Sequence, residues 1–161
     1  MKYKKILKEV GIMLAILLGA GIISGYIDVT PPKKAAQTAN GEAKVIEIND
    51  EQFAQLIFDY KSGKEWQFKG DKPVVIDFYA TWCPPCKRLR PRLEQLASEY
   101  GGQVVVYSVD AELYPQLAAY MGVESFPTLF FVPMSGKPYK SVGLAPLHQL
   151  RSAVEKILKN E

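Results

Sequence analysis

The sequence has few of the side chains that bind metal ions or cross-link small folds. Its 161 residues include two cysteines, Cys83 and Cys86, and one histidine, His148. A zinc site needs about four ligands, which this set does not supply. A disulfide between cysteines three residues apart closes too short a loop to stabilise the fold much. A metal site and a purely structural disulfide are therefore the less favoured alternatives, and we expect the cysteines to carry chemistry.

The larger part of the chain also lacks an excess of charge of either sign. Residues 1–43 contain six lysines against three acidic side chains, and residues 44–161 contain 14 basic and 14 acidic groups. Proteins that bind nucleic acid present a basic surface, so this balance gives no electrostatic case for such a partner. There are no internal repeats, and 48% of the residues are apolar, which is typical of an ordinary globular protein.

The first 27 residues contain a long uncharged segment. Four lysines lie within residues 1–9, and the 18 residues from Val10 to Ile27 carry no charged side chain. As a helix this stretch reaches about 27 Å, enough to cross a thin hydrocarbon core. We interpret residues 1–27 as a signal anchor or a signal peptide, and favour retention because the apolar run continues past the small residues at 19–21. No cysteine lies nearby, which excludes a lipid-anchored lipoprotein.

The charge around this segment predicts the side of the membrane on which the rest of the chain lies. Lysines before the segment outnumber those soon after it, so the N-terminus is expected in the cytoplasm and the domain outside it. Residues 28–43 contain two prolines and no large apolar side chain, and we interpret them as a linker. The predicted location is periplasmic or otherwise extracytoplasmic, with the N-terminal helix in the cytoplasmic membrane or cleaved.

Residues 44–161 are expected to form one α/β domain. The predicted strands lie near Val45–Ile48 and over Val74–Tyr79, Val104–Val109, Thr128–Val132 and Tyr139–Val142. The predicted helices start at Asn49 and Pro84 and cover Pro115–Met121 and Leu147–Leu158. Strands separated by helices favour parallel pairing, and the last two strands add an antiparallel hairpin. The expected architecture is a central mixed β-sheet flanked by helices on both faces.

The two cysteines lie where a buried strand passes directly into a helix. Residues three apart at a helix start share one face at about 5 to 6 Å, so Cys83 and Cys86 can form a disulfide. Unpaired N–H groups and the helix dipole stabilise a thiolate on the first sulfur. Cys83 is therefore the predicted nucleophile, and Cys86, expected to be more enclosed, the resolving thiol. Pro84 and Pro85 are tolerated there, but neither can donate a hydrogen bond to the Cys83 sulfur.

A wider set of residues resembles the thioredoxin family. The pattern has an acid in a buried strand, then W-C-x-x-C-K, a proline five residues after the second cysteine, and F-P-T before an apolar strand. Its members are Asp77, Trp82, Cys83, Cys86, Lys87, Pro91, Pro127 and Gly143. The resemblance covers residues 44–160. It implies the thioredoxin fold, thiol–disulfide exchange, and no cofactor beyond a redox-active disulfide between the two cysteines.

The resemblance also implies roles for single residues. Asp77 would be a buried acid–base group with a raised pKa that serves Cys86, and a solvent-facing aspartate at a strand end is the alternative. Pro127 would be cis and would help the preceding backbone hold an extended substrate segment. Trp82 would flank Cys83, with plain packing as its alternative role. The expected substrate-binding residues are Trp82, Pro84, Pro85, Phe126, Pro127 and Gly143.

Three positions depart from the family pattern. Thioredoxins often have a lysine near the buried aspartate at the position of Ser108, a second tryptophan at that of Tyr79, and Gly-Pro between the cysteines. The ion pair that would tune Asp77 is therefore expected to be missing. These departures leave the reaction class intact, but the resemblance does not fix the redox potential.

The sequence thus predicts an extracytoplasmic protein-disulfide reductase that works as a monomer on protein disulfides. Its location implies a membrane electron donor, because a cytoplasmic NADPH-dependent reductase could not reach it. An oxidase or isomerase of the same fold is the first alternative. It is ranked lower because the chain lacks room for the helical insertion of the dedicated bacterial oxidases and has no second dimerisation domain. A non-redox binding or chaperone module is the second alternative.

Overall fold

The computed structural model describes residues 44–159. The expected N-terminal segment at 1–27 and the expected linker at 28–43 lie outside these residues. Within the described range, no helix has both the length and the apolar character needed to span a membrane.

Five strands and four helices make up the described part of the chain. The strands are β1 (Ile46–Glu47), β2 (Val74–Tyr79), β3 (Val105–Asp110), β4 (Thr128–Val132) and β5 (Tyr139–Val142). The helices are α1 (Asp50–Leu56), α2 (Pro84–Glu99), α3 (Pro115–Tyr120) and α4 (Leu147–Lys159). Three strands, β2, β4 and β5, have the predicted bounds. After α1 the chain forms a short 3-10 helix at Tyr60–Ser62.

The strands form one mixed sheet in the order β1-β3-β2-β4-β5. The pairs β1–β3 and β2–β3 are parallel, whereas β2–β4 and β4–β5 are antiparallel. The central strand β2 is buried along its whole length except at Tyr79, which agrees with its nearly continuous apolar sequence. The predicted mixed sheet with an antiparallel hairpin is confirmed.

Each face of the sheet packs against its own pair of helices. Ile76 and Phe78 of β2 join a core that includes Phe53 of α1 and Leu117 of α3. The opposite core contains Val75 of β2, with side chains from α2 and α4, namely Leu89, Leu93, Leu96, Leu150, Val154 and Ile157. Because strand side chains alternate between faces, Asp77 lies on the same face as Val75, beneath α2. Sheet geometry therefore directs one carboxylate towards the helix that carries the cysteines.

The connector between α1 and β2 packs against the domain. Trp66 and Phe68 are partly buried against the first core, and the ring centroids of Phe58 and Trp66 lie 5.0 Å apart. The two aromatic residues are therefore part of the packed domain and not a free surface patch.

Candidate active site

The disulfide lies at the junction between β2 and α2. Cys83 is the N-cap residue of α2, and its Sγ accepts a hydrogen bond from the Cys86 backbone N–H at 3.2 Å. Pro84 and Pro85 occupy the first helical positions and have no N–H to donate. The N–H of Lys87 donates instead to the Cys83 carbonyl at 3.3 Å. Within the first turn, Cys86 is therefore the residue whose N–H stabilises charge on the Cys83 sulfur.

Cys83 and Cys86 form a disulfide, with their Cα atoms 5.4 Å apart. The expectation that Cys86 is the more enclosed cysteine is wrong for this oxidised form, since Cys83 is 2% exposed and Cys86 5% exposed. Both sulfurs belong to one small buried cluster with Ala80, against which Tyr79 and Phe126 pack. Covalent pairing holds the two side chains in the same pocket, so burial alone does not distinguish their roles.

Asp77 is buried beneath this junction, with 2% of its surface exposed. Its Oδ1 atom has no hydrogen-bond partner among the residues that the structure describes. Burial raises the pKa of Asp77 to about 7, and the positive charge of Arg90 opposes the rise. The alternative of a solvent-facing aspartate is wrong. An acid that is part protonated at neutral pH can both accept and return a proton.

A positive charge lies near Asp77, although Arg90, which carries it, donates its hydrogen bonds to Ser108 and Glu94 and not to Asp77. Ser108 is the β3 residue paired with Asp77, and its Oγ accepts a hydrogen bond from Arg90 Nη1 at 3.1 Å. The arginine comes from α2 and not from the sheet, so inspection of the strand position alone misses it. The available signal was helical spacing, because Arg90 follows Cys86 by four residues and shares its helix face.

Trp82 and Phe126 flank the disulfide. Their rings meet edge to face with centroids 6.0 Å apart, and Trp82 remains 63% exposed. The indole Nε1–H of Trp82 donates to Glu112 Oε1 at 2.7 Å, and the Thr81 hydroxyl donates to Glu112 Oε2 at 3.3 Å. Sequence reasoning missed Glu112, which reaches the cysteine turn from the loop after β3. The tryptophan is thus held beside Cys83 with its ring open to solvent.

The loop before β4 approaches the same cluster. The Phe126–Pro127 peptide bond is cis, as the resemblance implies. Pro127 is buried, and its carbonyl accepts a hydrogen bond from the Gly143 N–H at 2.8 Å. Gly143 has a φ of 91°, in the left-handed region that favours glycine. Of the expected substrate-binding residues, Pro84 is exposed and Pro85 half-buried at the helix start.

Tyr79 and His148 are two further side chains that the sequence singled out. Tyr79 stands at the end of β2, and its hydroxyl donates to Glu47 Oε1 of β1 at 2.8 Å. Partial burial and this carboxylate raise the pKa of Tyr79. His148 is exposed on α4. Within residues 44–159, no group of three or more histidine, cysteine, aspartate or glutamate side chains is placed to hold a metal ion.

Comparison with known proteins gives one consistent family. Residues 44–156 match the thioredoxin family profile. A thioredoxin of Borreliella burgdorferi is 43% identical over 115 residues, which cover 71% of this chain and 95% of that protein. A chloroplastic M-type thioredoxin of Spinacia oleracea is 34% identical over 97 residues, which cover 60% of this chain and 54% of that protein. The solved structure of chloroplastic thioredoxin z is similar with a TM-score of 0.58 at 30% identity, covering 71% of this chain and 94% of that one.

Proposed function

This chain belongs to the thioredoxin family and is a protein-disulfide oxidoreductase, and we propose that it acts as a reductase of protein disulfides outside the cytoplasm. Thioredoxins work without a cofactor and use a redox-active disulfide, which in this chain joins Cys83 and Cys86. The observation that carries the proposal is the position of this disulfide, at the N-terminus of a helix that covers the sheet face on which a buried acid of raised pKa lies.

In the first step the Cys83 thiolate attacks one sulfur of a substrate disulfide. The substrate S–S bond breaks, its other sulfur leaves as a thiolate that takes a proton from solvent, and a mixed disulfide with Cys83 remains. The N-cap position and the Cys86 N–H at 3.2 Å support this role, because both favour negative charge on the Cys83 sulfur.

In the second step Cys86 resolves the mixed disulfide. Its thiol gives a proton to the Asp77 carboxylate, and the resulting thiolate attacks the Cys83 sulfur. The bond from Cys83 to the substrate breaks, the second substrate sulfur leaves as a thiolate, and the Cys83–Cys86 disulfide forms. Two electrons have then passed from the protein to the substrate. A pKa of about 7 for Asp77 suits this proton transfer at neutral pH.

The substrate segment is proposed to lie between the cysteine turn and the loop before β4. Trp82 offers an exposed ring beside Cys83, and Phe126 packs against the disulfide from the other side. The Pro127 carbonyl is held by the Gly143 N–H, and the backbone of Phe126 before it is proposed to hold an extended substrate segment. Pro84 and Pro85 form the remaining wall of the surface.

The direction and location of the reaction are proposed from the sequence. The uncharged segment from Val10 to Ile27, preceded by lysines, supports export of the domain, with the segment retained in the membrane or cleaved. An exported reductase needs an electron donor that crosses the membrane, so a membrane electron carrier is the proposed partner. The domain is proposed to act as a monomer.

Insulin reduction with dithiothreitol as electron donor tests the exchange chemistry. The wild-type protein should accelerate it, and Cys83→Ser should reduce the rate to that of dithiothreitol alone. Arg88→Gln, an exposed change on the same helix, serves as the matched control and should behave as wild type. Equal rates for wild type and Cys83→Ser would show that the cysteines are incidental.

A thiol-labelling experiment tests the location separately. A membrane-impermeant thiol reagent added to intact spheroplasts, after reduction, should label the full-length protein before lysis. Labelling that appears only after lysis would place the domain in the cytoplasm and remove the reason for a membrane electron donor.

A further inference from the structure

Arg90, one helical turn after Cys86 on α2, is held by two side chains that together fix its position. Arg90 Nη1 donates to Ser108 Oγ at 3.1 Å, and Arg90 Nε contacts Glu94 Oε1 at 3.4 Å. The arginine side chain is 35% exposed, whereas Ser108 is fully buried. The guanidinium therefore reaches from the helix surface to a buried hydroxyl on the sheet.

This anchor brings the positive charge close to Asp77 by two independent constraints. Ser108 on β3 is the direct parallel-strand partner of Asp77 on β2, and both side chains lie on the sheet face that α2 covers. Arg90 also follows Cys86 by one helical turn, so it shares the helix face of the resolving cysteine. The cation thus lies over the same part of the sheet as the carboxylate and the buried sulfur.

The arginine does not neutralise Asp77 by direct pairing. The hydrogen bonds of Arg90 go to Ser108 and Glu94, and Asp77 Oδ1 has no partner within the described part of the chain. A direct ion pair would hold Asp77 as a permanent anion, which could not return a proton. Without the cation the pKa of Asp77 would rise further, and less of the acid would be in the carboxylate form that accepts a proton at neutral pH. Because Arg90 is bonded to Ser108 and lies near Asp77 without pairing with it, both the protonated and the ionised forms of Asp77 remain accessible.

We propose that Arg90 is a positioning residue for disulfide exchange, held by Ser108 so that its charge favours the carboxylate form of Asp77 that receives the Cys86 proton. The proposal rests on the proposed role of Asp77 as proton acceptor. The charge near Asp77 then comes from Arg90 on α2, whereas the strand position at which thioredoxins often have a lysine holds the neutral Ser108.

The other groups facing Asp77 offer no competing explanation. On α2, Cys86 shares the helix face of Arg90 but is held in the disulfide, and the β3 residue paired with Asp77 is the neutral Ser108. From β4 the paired residue is Leu129, which is apolar. Arg90 is the charge that opposes the rise in the pKa of Asp77.

The test measures the Asp77 titration directly, by the carboxyl carbon NMR signal in the oxidised full-length protein. Arg90→Gln should raise the apparent pKa by about 0.5 to 1 unit, at the low end for a nearby opposite charge because the arginine is partly exposed. Arg90→Lys keeps the charge and should stay near wild type. Arg88→Gln removes an exposed charge from the same helix and is the matched control. No rise in Arg90→Gln beyond that of the control, or an equal rise in Arg90→Lys, would overturn the proposal.

Ser108→Ala provides a second variant if Arg90→Gln does not fold. It deletes the acceptor that anchors the guanidinium and should raise the pKa of Asp77 in the same direction by a smaller amount. An unchanged Asp77 titration in Ser108→Ala would overturn the anchoring role.

The pH profile of insulin reduction completes the test. In Arg90→Gln its lower limb should move up by the same amount as the Asp77 titration, and an unmoved profile would overturn the place of Arg90 in the exchange reaction. If the wild-type protein reduces insulin but the apparent pKa of Asp77 is the same in Arg90→Gln as in wild type, this inference fails and the proposed function stands. If the titration responds to Arg90 but the wild-type protein reduces no disulfide, the proposed function fails instead.

Discussion

Near each end of α2 an arginine lies close to a carboxylate, but the two arrangements are opposite. Beside the first turn, Asp77 is buried, one of its oxygens has no partner in the described structure, and Arg90 is turned to a serine. At the last turn, Glu99 receives two hydrogen bonds from Arg151 of α4, at 2.6 and 2.8 Å. One end leaves a carboxylate unsatisfied, and the other pairs it completely.

The electrostatic consequences are opposite as well. Hydrogen bonds from Arg151 lower the pKa of Glu99 to about 2, whereas burial raises that of Asp77 to about 7. At the far end, an ion pair at the surface therefore joins two helices. At the near end, burial disfavours the ionised form of the acid. Perturbed acids of this kind concentrate at functional sites because catalysis needs a pKa near the working pH.

The largest expected difference between the two ends is in activity. Cys86→Ser should accumulate a mixed disulfide with substrate, because Cys83 still attacks but the resolving thiol is missing. Cys83→Ser should accumulate none, and Glu99→Gln at the far end should turn over as wild type. To measure the adduct, each reduced variant is mixed with disulfide-bonded insulin and the products are separated by non-reducing electrophoresis. Adduct in Cys83→Ser but not in Cys86→Ser would reverse the two assignments.

The next effect is on stability, and Asp77→Asn should increase it. Below a pH of about 4 the acid is protonated in both the folded and the unfolded states. As the pH rises to about 7 the unfolded chain releases the proton and the folded protein keeps it, so Asp77 destabilises the fold progressively. A rise of about three units corresponds to about 4 kcal/mol. Urea unfolding of the oxidised protein should show Asp77→Asn to be more stable by a few kcal/mol at pH 8 and nearly equal to wild type at pH 4.

A loss of stability in Asp77→Asn at pH 8 would contradict this account of the carboxylate. The same variant should also slow insulin reduction by about 10- to 100-fold at pH 7, since it removes the proton acceptor for Cys86. An unchanged rate would remove Asp77 from the reaction while leaving its cost to stability intact.

At the far end the same type of substitution should have the opposite sign and a smaller size. Glu99→Gln removes a charged acceptor from Arg151, and both side chains are partly exposed. The pKa of Glu99 is lowered, so its contribution is present above a pH of about 4.5 and is lost as the pH falls towards 2. Glu99→Gln should therefore be slightly less stable than wild type at pH 7 and equal to it at pH 2. The difference should shrink in 1 M salt, and a salt-independent loss would point to packing instead.

The smallest expected effect concerns a third carboxylate, that of Glu112. It distinguishes the effect of being buried from the effect of lying near the cysteines. Glu112 lies at the cysteine end but is exposed, and it accepts from Trp82 Nε1. Glu112→Ala should leave stability nearly unchanged and raise the KM for insulin by about two- to five-fold, the worth of one hydrogen bond that orients Trp82. The kcat should change little. Thr81→Val, which removes the weaker partner of Glu112, is the milder control, and a fall in kcat alone would contradict an orienting role.

The sequence predicted the fold well where patterns are local. The bounds of β2 and β4 follow from nearly continuous apolar runs, of which the first ends at Tyr79 and the second begins after Pro127. Burial of Asp77 was also predictable, because a strand with apolar neighbours on both sides has no solvent-facing position. The cis bond before Pro127 came from the family resemblance and not from base rates.

The parts that escaped prediction depend on packing between distant elements. Arg90 reaches Ser108 only because α2 lies across β3 at a particular rotation, which helical spacing alone does not determine. Glu112 meets Trp82 because the loop after β3 returns to the cysteine turn. The strand position of Ser108 likewise gives no sign of the Arg90 charge near Asp77, because that charge comes from α2.

The reduction potential of the Cys83–Cys86 pair tests the central claim most directly. Equilibration of the full-length protein with glutathione or dithiothreitol redox buffers, followed by thiol alkylation, gives the fraction reduced at each ratio. A protein that reduces other disulfides should have a potential below about −230 mV, on the reducing side of the glutaredoxins. A potential above about −180 mV, in the range of disulfide isomerases and oxidases, would contradict the reductase assignment and reverse the proposed direction of electron flow.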